Sequence, residues 1–327
     1  MRMRTLGRTG LHVSELSLGG LFVSSVGGPF EQAREATLRA IALGVNYVDT
    51  APTYMNGEEV FGAILSEVDQ PVIISTKLGG RPQPFDPRNR DHLYRSFEES
   101  LRLLRRDAVD ILMIHEPDRP GQYDWWTDWT KPDGPAIEVL ADLKQRGLIR
   151  FTGLGGTTAY ELARLIRTGA FDVVLTAFNY SLLWREAAIE VLPAAVEQGM
   201  GIVIGSPLQQ GALARRYDDE VNHGAPWLSS PRRAQYQALY AYLDDIGMSL
   251  AEAGIRFVLS NPNVTCTLMG ARSAQEVEEN IAAAEAGPLP PEVLQRLDEI
   301  AAMVPFRPFE EPFGLPFGRA YRGPGPA

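Results

Sequence analysis

The sequence predicts a (β/α)8 barrel, the TIM-barrel fold class, in which eight parallel strands alternate with helices. Three observations lead to this prediction. Eight short apolar segments recur along the chain, helical patterns separate them, and most of the eight are continuously apolar. Continuous apolarity is typical of parallel strands that are buried on both faces. The chain has 327 residues, more than the ~250 of a simple barrel, so we expect additions to it.

The strands and helices can be assigned in order along the chain. The eight strand candidates are SELSLGG, NYVDT, PVIISTK, VDILMIH, RFTGLG, DVVLT, GIVIGS and TCTLMG. Helical periodicity is clearest where apolar residues share one face, as in the sets Leu93, Phe97, Leu101 and Leu104, then Ile137, Leu140 and Leu143, then Ala159, Leu162 and Ile166. We expect Asp91 to cap the first of these helices, and Gly147 and Gly169 to end the other two.

Three additions to the barrel are predicted. MRTLGRTGLHVS has the pattern of a β-hairpin with a Gly-Arg-Thr-Gly turn, and an insertion from about Gln209 to Asp245 precedes the last strand. From Pro305 the chain is rich in Pro, Gly and Phe, so we expect a flap over one barrel end or a disordered tail. Because no interdomain linker is evident, residues 1–327 should form a single domain, with 305–327 as its C-terminal loop or tail. A doubly wound open sheet is the alternative fold, but LGGLFVSSVGG lacks its glycine spacing.

Composition excludes several classes of partner. A formal net charge of −10 argues against nucleic acid, which requires a clustered basic surface. The single cysteine, Cys266, cannot form an internal disulfide and indicates a reducing compartment. The N-terminus lacks the apolar core of a signal peptide, and no apolar run reaches the ~18 residues of a membrane span. We therefore expect a cytoplasmic protein with neither a membrane nor a nucleic-acid partner.

Four polar residues follow three consecutive predicted strands. Asp49 ends the second strand, and Tyr54 lies on the loop that leaves it. Lys77 and His115 end the third and fourth strands. The C-terminal ends of barrel strands converge on one face, which carries the active site in this fold. We therefore expect these four residues, here called the tetrad, to form an active site, although each one alone could have a structural role.

The tetrad has a chemical logic that suits hydride transfer. A tyrosine has a pKa near ~10, and a neighbouring lysine ammonium would lower it by favouring the phenolate. Asp49 would keep the buried Lys77 charged, and His115 would orient a substrate oxygen. A phenol that exchanges a proton with the oxygen of a carbonyl group serves such a reaction. A metal-dependent barrel hydrolase is the alternative, but it needs several histidines at strand ends and only His115 lies there, so we predict no metal site.

Seven segments resemble the aldo-keto reductase family, in order and over nearly the whole chain. They are LGRTGLHVSELSLGG, GVNYVDTAPTY, ISTKLG, LMIHEPD, GLIRFTGLGG, SPLQQGALA and MGARSAQEVEENI. The resemblance implies a (β/α)8 barrel that binds NADPH, or less often NADH, without a Rossmann domain. It also implies that Tyr54 is the general acid, that Lys77 and Asp49 tune it, and that His115 orients the substrate.

The same resemblance places the nicotinamide half of the cofactor beside the fifth and sixth strands. Gly155 and Gly156 stand where the family commonly has a Ser-Asn pair, and Ala177 stands where it frequently has glutamine. These departures leave backbone amides, Thr157 or Asn179 as replacement donors.

Further cofactor contacts are implied on the sixth strand and on the loop after the seventh. Tyr180 matches the aromatic residue on which the nicotinamide ring stacks, and the alternative is a core tyrosine of the barrel. GSPLQQGALA resembles the pyrophosphate-binding loop of the family. Its Ser206 and the backbone around Leu208, Gln210 and Gly211 would contact the phosphates.

The segment after the eighth strand is implied to hold the adenosine half. Its contact residues would be Gly270, Arg272, Ser273, Glu276, Glu279 and Asn280. Arg272 could pair with a 2′-phosphate and favour NADP(H), whereas a carboxylate at Glu276 would repel that phosphate and suit NAD(H). Ser273 and Glu276 also form the pattern of a helix capping box. The choice between NADP(H) and NAD(H) therefore stays open.

The substrate prediction is a small carbonyl compound or a sugar. The segment YDWWTDWTKPDG follows His115, and its Trp125 and Trp126 could wall a substrate pocket, with Trp129 nearby. Alternatively, these rings anchor the loop on the barrel. The glycine-rich cofactor segment is similar to relatives that oxidise aldoses at the anomeric carbon. Other relatives, such as potassium-channel β subunits, keep the fold and cofactor but act mainly as binding and sensing partners, which is the alternative function.

Overall fold

The computed structural model describes residues 1–119, 121–128, 131–308, 311–312 and 314–319. Trp129 and the last part of the predicted tail, 320–327, lie outside the described residues. Within the described part, no helix combines the length and the apolarity needed to cross a bilayer.

Eight parallel strands form a closed barrel, as predicted. They follow an N-terminal hairpin whose antiparallel strands are β1 (Met3–Thr5) and β2 (His12–Ser14). The barrel strands are β3 (Leu16–Gly19), β4 (Tyr47–Asp49), β5 (Ile73–Leu78), β6 (Val109–His115), β7 (Ile149–Gly156), β8 (Val173–Ala177), β9 (Gly201–Gly205) and β10 (Cys266–Met269). Each pairs with the next in chain order, and β10 closes the barrel by pairing with β3. All eight predicted strands and the hairpin are confirmed.

Helices surround the barrel and bury its outer face. They are α1 (Phe30–Ala42), α2 (Gly57–Leu65), α3 (Arg90–Leu104), α4 (Pro135–Gln145), α5 (Ala159–Ile166), α6 (Val191–Glu197), α7 (Asp218–His223), α8 (Ser230–Asp245), α9 (Leu250–Ser260), α10 (Ala274–Glu285) and α11 (Pro291–Ala302). The predicted insertion contains α7 and α8. The expected cap of α3 is wrong by two positions, because the side chain of Asn89 accepts the N–H groups of Asp91 and His92. Asp91 lies instead in the first turn, where its charge favours the helix dipole.

The hairpin closes the N-terminal end of the barrel. Leu6, Leu11 and Val13 are buried in one cluster with the apolar side chains that fill the barrel interior. The Arg8 N–H donates to the carbonyl of Gly199, just before β9, at 2.8 Å. The hairpin therefore covers the N-terminal end of the barrel. The end that it leaves uncovered is the one where the strands finish.

Alternation along each strand decides which side chains point inward. The apolar interior cluster contains Tyr47, Ile111, Met113, Val173, Leu175, Val203, Cys266 and Leu268. Counting two residues on from these positions leads to Asp49 on β4, His115 on β6, Ala177 on β8 and Gly205 on β9. The uppermost interior layer thus contains two members of the tetrad, Asp49 and His115, together with the very small residues Ala177 and Gly205.

The contact between α2 and α3 yields a prediction about stability. A Cβ added at Gly62 would lie 2.0 Å from the carbonyl oxygen of Leu103 and 2.9 Å from its carbonyl carbon. Because backbone atoms cannot move aside as a side chain can, Gly62→Ala should destabilise the fold by about 2–4 kcal/mol in urea unfolding. Gly121→Ala is the control, since nothing lies within 4 Å of a Cβ there. Equal stability of the two variants would contradict this account of the helix contact.

Candidate active site

Lys77 and Asp49 form an ion pair inside the barrel mouth. The Lys77 Nζ lies 2.7 Å from Asp49 Oδ2 and donates to the carbonyl of Thr50 at 2.8 Å. Both side chains are 1% exposed. Burial alone would lower the pKa of Lys77, but the charge of Asp49 and the Tyr54 phenol outweigh burial and raise it. Lys77 is therefore an ammonium across the physiological pH range.

A chain of hydrogen bonds supports Asp49 from below. The Ser75 hydroxyl donates to Asp49 Oδ1 at 2.6 Å, and the Tyr47 hydroxyl lies 2.8 Å from Ser75 Oγ. Tyr47 and Ser75 lie two residues before Asp49 and Lys77 on the same strands, so all four side chains face the interior. Both carboxylate oxygens of Asp49 thus have partners, as a buried carboxylate requires.

Tyr54 reaches the ion pair from the loop after β4. The Tyr54 N–H bonds to the carbonyl of Ala51, and the Gly57 N–H bonds to the carbonyl of Tyr54, so two turns fix its backbone. Lys77 Nζ lies 4.8 Å from the centre of the Tyr54 ring. That ring meets the His115 imidazole edge-on, with 5.7 Å between the ring centres. The structure therefore brings all four tetrad residues together.

The ionisation of Tyr54 differs in one respect from the expectation. Burial raises the pKa of Tyr54, and the positive charge of Lys77 opposes that rise without overcoming it. The lysine acts in the expected direction, but the net change is upward. Tyr54 is consequently a neutral phenol at pH 7, the form that can give a proton.

His115 is neutral as well. Burial and the positive charge of Lys77 lower the pKa of His115 to about 3. Its Nδ1 lies 3.3 Å from the hydroxyl of Thr53, on the loop that carries Tyr54. A neutral imidazole has one N–H to donate, so His115 can offer a hydrogen bond without adding a second positive charge.

The other half of the barrel mouth is lined by very small residues. Gly155, Ala177 and Gly205 occupy the uppermost interior positions of three consecutive strands, β7 to β9. A Cβ at Gly155 would lie 3.2 Å from Lys77 Cε, and one at Gly205 would lie 3.0 Å from Leu175 Cδ2. Gly155 therefore leaves room for the Lys77 side chain, and the three strand ends carry no bulky side chain of their own.

Gly156 faces the opposite way from Gly155. A Cβ there would lie 2.7 Å from Asp118 Oδ2, which accepts the N–H groups of Thr157 and Thr158. The amide of Asn179 donates to the carbonyl of Thr157 at 2.7 Å. The Asp118 carboxylate and the Asn179 amide thus hold the turn that follows β7.

The structure places Tyr180 away from the tetrad. Its ring packs against Phe257 of α9, with 5.3 Å between ring centres, and its hydroxyl accepts the amide of Asn261 at 3.0 Å. Phe178, two residues earlier, has a left-handed backbone with φ of 66°, which turns the chain outward after β8. The expected nicotinamide-stacking position of Tyr180 is therefore replaced by a position in the helical layer.

The loop after β9 has an unusual backbone. Ser206, Gln209 and Gln210 all have φ of 51°, in the left-handed region that non-glycine residues rarely adopt. The buried Gln209 donates to the carbonyl of Phe178 at 2.8 Å and to the hydroxyl of Ser181 at 3.2 Å. Strained backbone of this kind persists only where its surroundings hold it, and it concentrates at functional sites. Leu208 and Gly211 lie in the same loop, and their phosphate contacts stay a prediction.

The loop after β10 leads into α10 as predicted. Ser273 caps the helix by accepting the Glu276 N–H at 3.2 Å, while the Glu276 carboxylate accepts the Arg272 N–H at 2.8 Å. Half of a capping box is therefore present, with Glu276 bonded one residue before the cap. The Arg272 guanidinium lies 5.0 Å from the centre of the Phe22 ring, which also packs over Gly270.

Two further expected adenosine contacts lie on α10 itself. Glu279 accepts the amide of Gln275 at 2.8 Å. The Asn280 amide lies 3.9 Å from the sulfur of Met269 at the end of β10. The structure therefore places both residues on the helix that follows the loop, close to Arg272 and Glu276.

The two tryptophans of the long loop after β6 are interior residues. Trp125 and Trp126 are 0% and 1% exposed. The Trp126 indole donates to the carbonyl of Pro117 at 3.1 Å, and the Trp125 ring lies against Gly79 just after β5. Both rings thus anchor the loop on the barrel, which is the second of the two roles considered from the sequence.

A model of the aldo/keto reductase family matches residues 15–302. The chain belongs to the aldo/keto reductase family. It is 32% identical to L-galactose dehydrogenase of Arabidopsis thaliana over 86% of this chain and 88% of that protein. It is also 29% identical to a Schizosaccharomyces pombe sequence assigned to the voltage-gated potassium channel β subunits, over 92% and 94% of the two chains. Family membership and the dehydrogenase relative support an oxidoreductase.

A solved family structure has the same architecture. It is the holo form of an aldo-keto reductase, AKR11C1, from Bacillus halodurans. The TM-score is 0.75 at 27% identity, and the likeness covers 92% of this chain and 96% of the other. The barrel described above is therefore the barrel of the family.

Four residues of this family site were not predicted from the sequence. Ser75 and Tyr47 could have been found, because they precede Lys77 and Asp49 by two positions on the same strand faces. Gln209 and Phe22 could not, since their contacts join loops that are distant in sequence.

The low pKa of His115 predicts a pH-dependent loss of stability. Histidine in the unfolded chain takes up a proton near its ordinary pKa of 6.5, whereas folded His115 does so at about 3, so stability falls as pH drops below 6.5. Between about pH 8 and pH 5 the wild type should lose roughly 2 kcal/mol more than His115→Gln in urea unfolding. His223→Gln, at a surface histidine, is the control and should follow the wild type. Parallel losses in wild type and His115→Gln would show that His115 takes up its proton freely in the folded state.

Proposed function

We propose that the protein is an NAD(P)(H)-dependent oxidoreductase that reduces aldehydes or ketones, or oxidises an aldose in the reverse direction, with Tyr54 as acid and base. The observation that carries this proposal is the division of the barrel mouth. Tyr54, His115 and the charged Lys77 line one half, and the small residues Gly155, Ala177 and Gly205 lie at the strand ends of the other. A proton donor thus lies beside strand ends that carry no bulky side chain of their own.

The residues present fit a nicotinamide dinucleotide. The small residues of β7 to β9 would accept the nicotinamide, the loop after β9 would hold the pyrophosphate, and the start of α10 would hold the adenosine. When bound, the cofactor supplies a hydride for reduction or accepts one in the reverse direction. No nicotinamide contact is assigned to Tyr180, because its ring faces α9.

In the direction of reduction, each tetrad residue has a distinct task. The Tyr54 hydroxyl donates the proton that the carbonyl oxygen requires as it becomes an alcohol. The Lys77 ammonium stabilises the phenolate that Tyr54 leaves behind, and Asp49 keeps that ammonium charged and in place. Neutral His115 donates a hydrogen bond to the same substrate oxygen and orients it. Oxidation of an aldose would use these residues in reverse, with Tyr54 taking the hydroxyl proton.

The similarity to L-galactose dehydrogenase supports an aldose as the substrate class. Similarity to a sequence assigned to the potassium channel β subunits keeps a cofactor-binding, non-catalytic function as the alternative. The complete tetrad favours catalysis, because a protein that only binds the cofactor has no need of the buried ion pair beside a phenol.

Replacement of the tetrad phenol tests the proposed function. Tyr54→Phe should lower carbonyl turnover by about 10²–10⁴-fold because the proton donor is lost, while cofactor affinity in a fluorescence titration stays the same. Tyr160→Phe removes a hydroxyl from an exposed tyrosine and should leave turnover unchanged. Wild-type turnover by Tyr54→Phe would remove Tyr54 from the mechanism. Cofactor binding without turnover in the wild type, tested with aldehydes and aldoses, would favour the regulatory alternative.

Charges near α10 predict how the protein discriminates between the two nucleotides. Glu276→Gln should tighten NADPH binding by about tenfold and leave NADH nearly unchanged, because one negative charge beside the 2′-phosphate is removed. Arg272→Met should weaken NADPH selectively. Glu278→Gln, on the same helix but paired with Arg39, is the matched control. If Glu276→Gln changed both affinities equally, Glu276 would act only through the helix cap.

A further inference from the structure

The C-terminal residues 311–312 and 314–319 pack on the insertion that follows β9, and they are here called the strap. The strap lies beyond residues 15–302, the part of the chain that matches the family model. The barrel closes without it, through the pairing of β10 with β3. Its contacts therefore call for an explanation other than completion of the barrel.

A buried ion pair anchors the first part of the strap. Glu311 Oε2 lies 2.7 Å from Arg232 Nε of α8, and the two side chains are 3% and 0% exposed. Glu311 also accepts the indole N–H of Trp184 at 3.0 Å, and the Arg232 guanidinium lies 4.5 Å from the Trp184 ring centre. Trp184 belongs to the segment after β8. A carboxylate this deeply buried requires partners in place, so this anchor is specific rather than a loose surface contact.

An aromatic cluster anchors the second part of the strap. Phe317 is 3% exposed and stacks on Tyr217, with 4.6 Å between ring centres and 19° between ring planes. Trp227 and Tyr236 meet the same ring edge-on at 4.8 and 5.1 Å. These three partners lie in or beside the insertion, so Phe317 fixes the insertion against the strap.

Both anchors lead to the strained turn of the loop after β9. From Phe317, the stacked Tyr217 donates its hydroxyl to the carbonyl of Gly211 at 3.2 Å. From Glu311, the path runs through Trp184, whose carbonyl accepts the Ser181 N–H at 2.8 Å. The Ser181 hydroxyl in turn accepts the Gln209 amide at 3.2 Å. Two independent chains of contacts thus converge on 209–211.

We propose that the strap is the cofactor-retention element of this protein, and that Phe317 is the positioning residue that sets how fast the nucleotide leaves. The inference rests on the proposed function, because it takes 206–211 as the loop over the pyrophosphate. Gln209 and Gln210 have left-handed backbone that requires support from outside the loop. The strap provides that support, so the nucleotide can leave only as fast as the loop loosens.

The experiment measures nucleotide dissociation in the full-length protein. The wild type, Phe317→Ala, Tyr217→Phe and Phe306→Ala are loaded with NADPH or NADH, whichever binds more tightly. Dissociation is followed by stopped-flow nicotinamide fluorescence after mixing with excess competing nucleotide. The thermal unfolding midpoint of each protein without nucleotide is recorded alongside. Phe306 is the matched control, since it lies in the same C-terminal region but is 57% exposed.

We expect the dissociation rate to rise about tenfold in Phe317→Ala and to stay at the wild-type value in Phe306→Ala. Tyr217→Phe keeps the stacked ring and removes only the hydroxyl that reaches Gly211, so its rate should rise severalfold with an unchanged unfolding midpoint. A raised dissociation rate with an unchanged unfolding midpoint would show that Tyr217 acts on the loop after β9 and not through the stability of the whole fold.

Two results would overturn the proposal. One is a wild-type dissociation rate in Phe317→Ala together with a lowered unfolding midpoint, which would make Phe317 a packing residue only. The second applies if Phe317→Ala does not fold. In that case a wild-type dissociation rate in Tyr217→Phe overturns the proposal by itself. Absence of binding of either nucleotide to the wild type would instead refute the proposed function on which the inference rests.

Discussion

The buried ammonium of Lys77 determines much of what surrounds it. A charge inside a barrel is tolerated only with a partner, and removal of one partner from such a pair typically costs about 3–5 kcal/mol. Asp49 supplies the opposite charge at 2.7 Å, and Ser75 and Tyr47 complete the hydrogen bonds of that carboxylate. The lysine side chain also needs space to cross the mouth, which Gly155 leaves free. One charge therefore explains a polar set of interior residues and the close approach of the lysine side chain to Gly155.

The ends of β7, β8 and β9 carry the small residues Gly155, Ala177 and Gly205 at the barrel mouth that Lys77 occupies. An interior layer with large residues on β7, β8 and β9 would fill the mouth and leave a sealed core. Ala177 and Gly205 place no large side chain of their own in that layer. At Gly155 and Ala177 the departures from the family pattern replace polar side chains with small ones. They remove side-chain donors, and the Thr157 and Thr158 N–H groups of the neighbouring turn are bonded to Asp118.

The sequence was sufficient to predict those features that depend on local periodicity or on the convergence of strand ends at one face of the barrel. Apolar runs located the eight strands, and the convergence of strand ends brought Asp49, Lys77 and His115 together. Prediction failed where backbone geometry or a distant segment decides. Tyr180 follows Phe178, whose left-handed backbone redirects the chain toward α9, and no residue type announces that turn. The partners of the C-terminal Phe317 lie about a hundred residues earlier, beyond the reach of any periodicity.

The protonation states of Tyr54 and His115 at the barrel mouth depend on two effects, burial and the single positive charge of Lys77. Burial raises the pKa of Tyr54 and keeps the acid form that reduction needs, while Lys77 lessens that rise and stabilises the phenolate that oxidation needs. A second cation would upset the balance by favouring the phenolate at neutral pH. His115 avoids this, because burial and Lys77 together hold its pKa at about 3 and leave it an uncharged donor. Burial thus sets the protonation state of both neighbours and Lys77 modulates it, so a change at Lys77 would alter the pKa of the acid and of the orienting group at once.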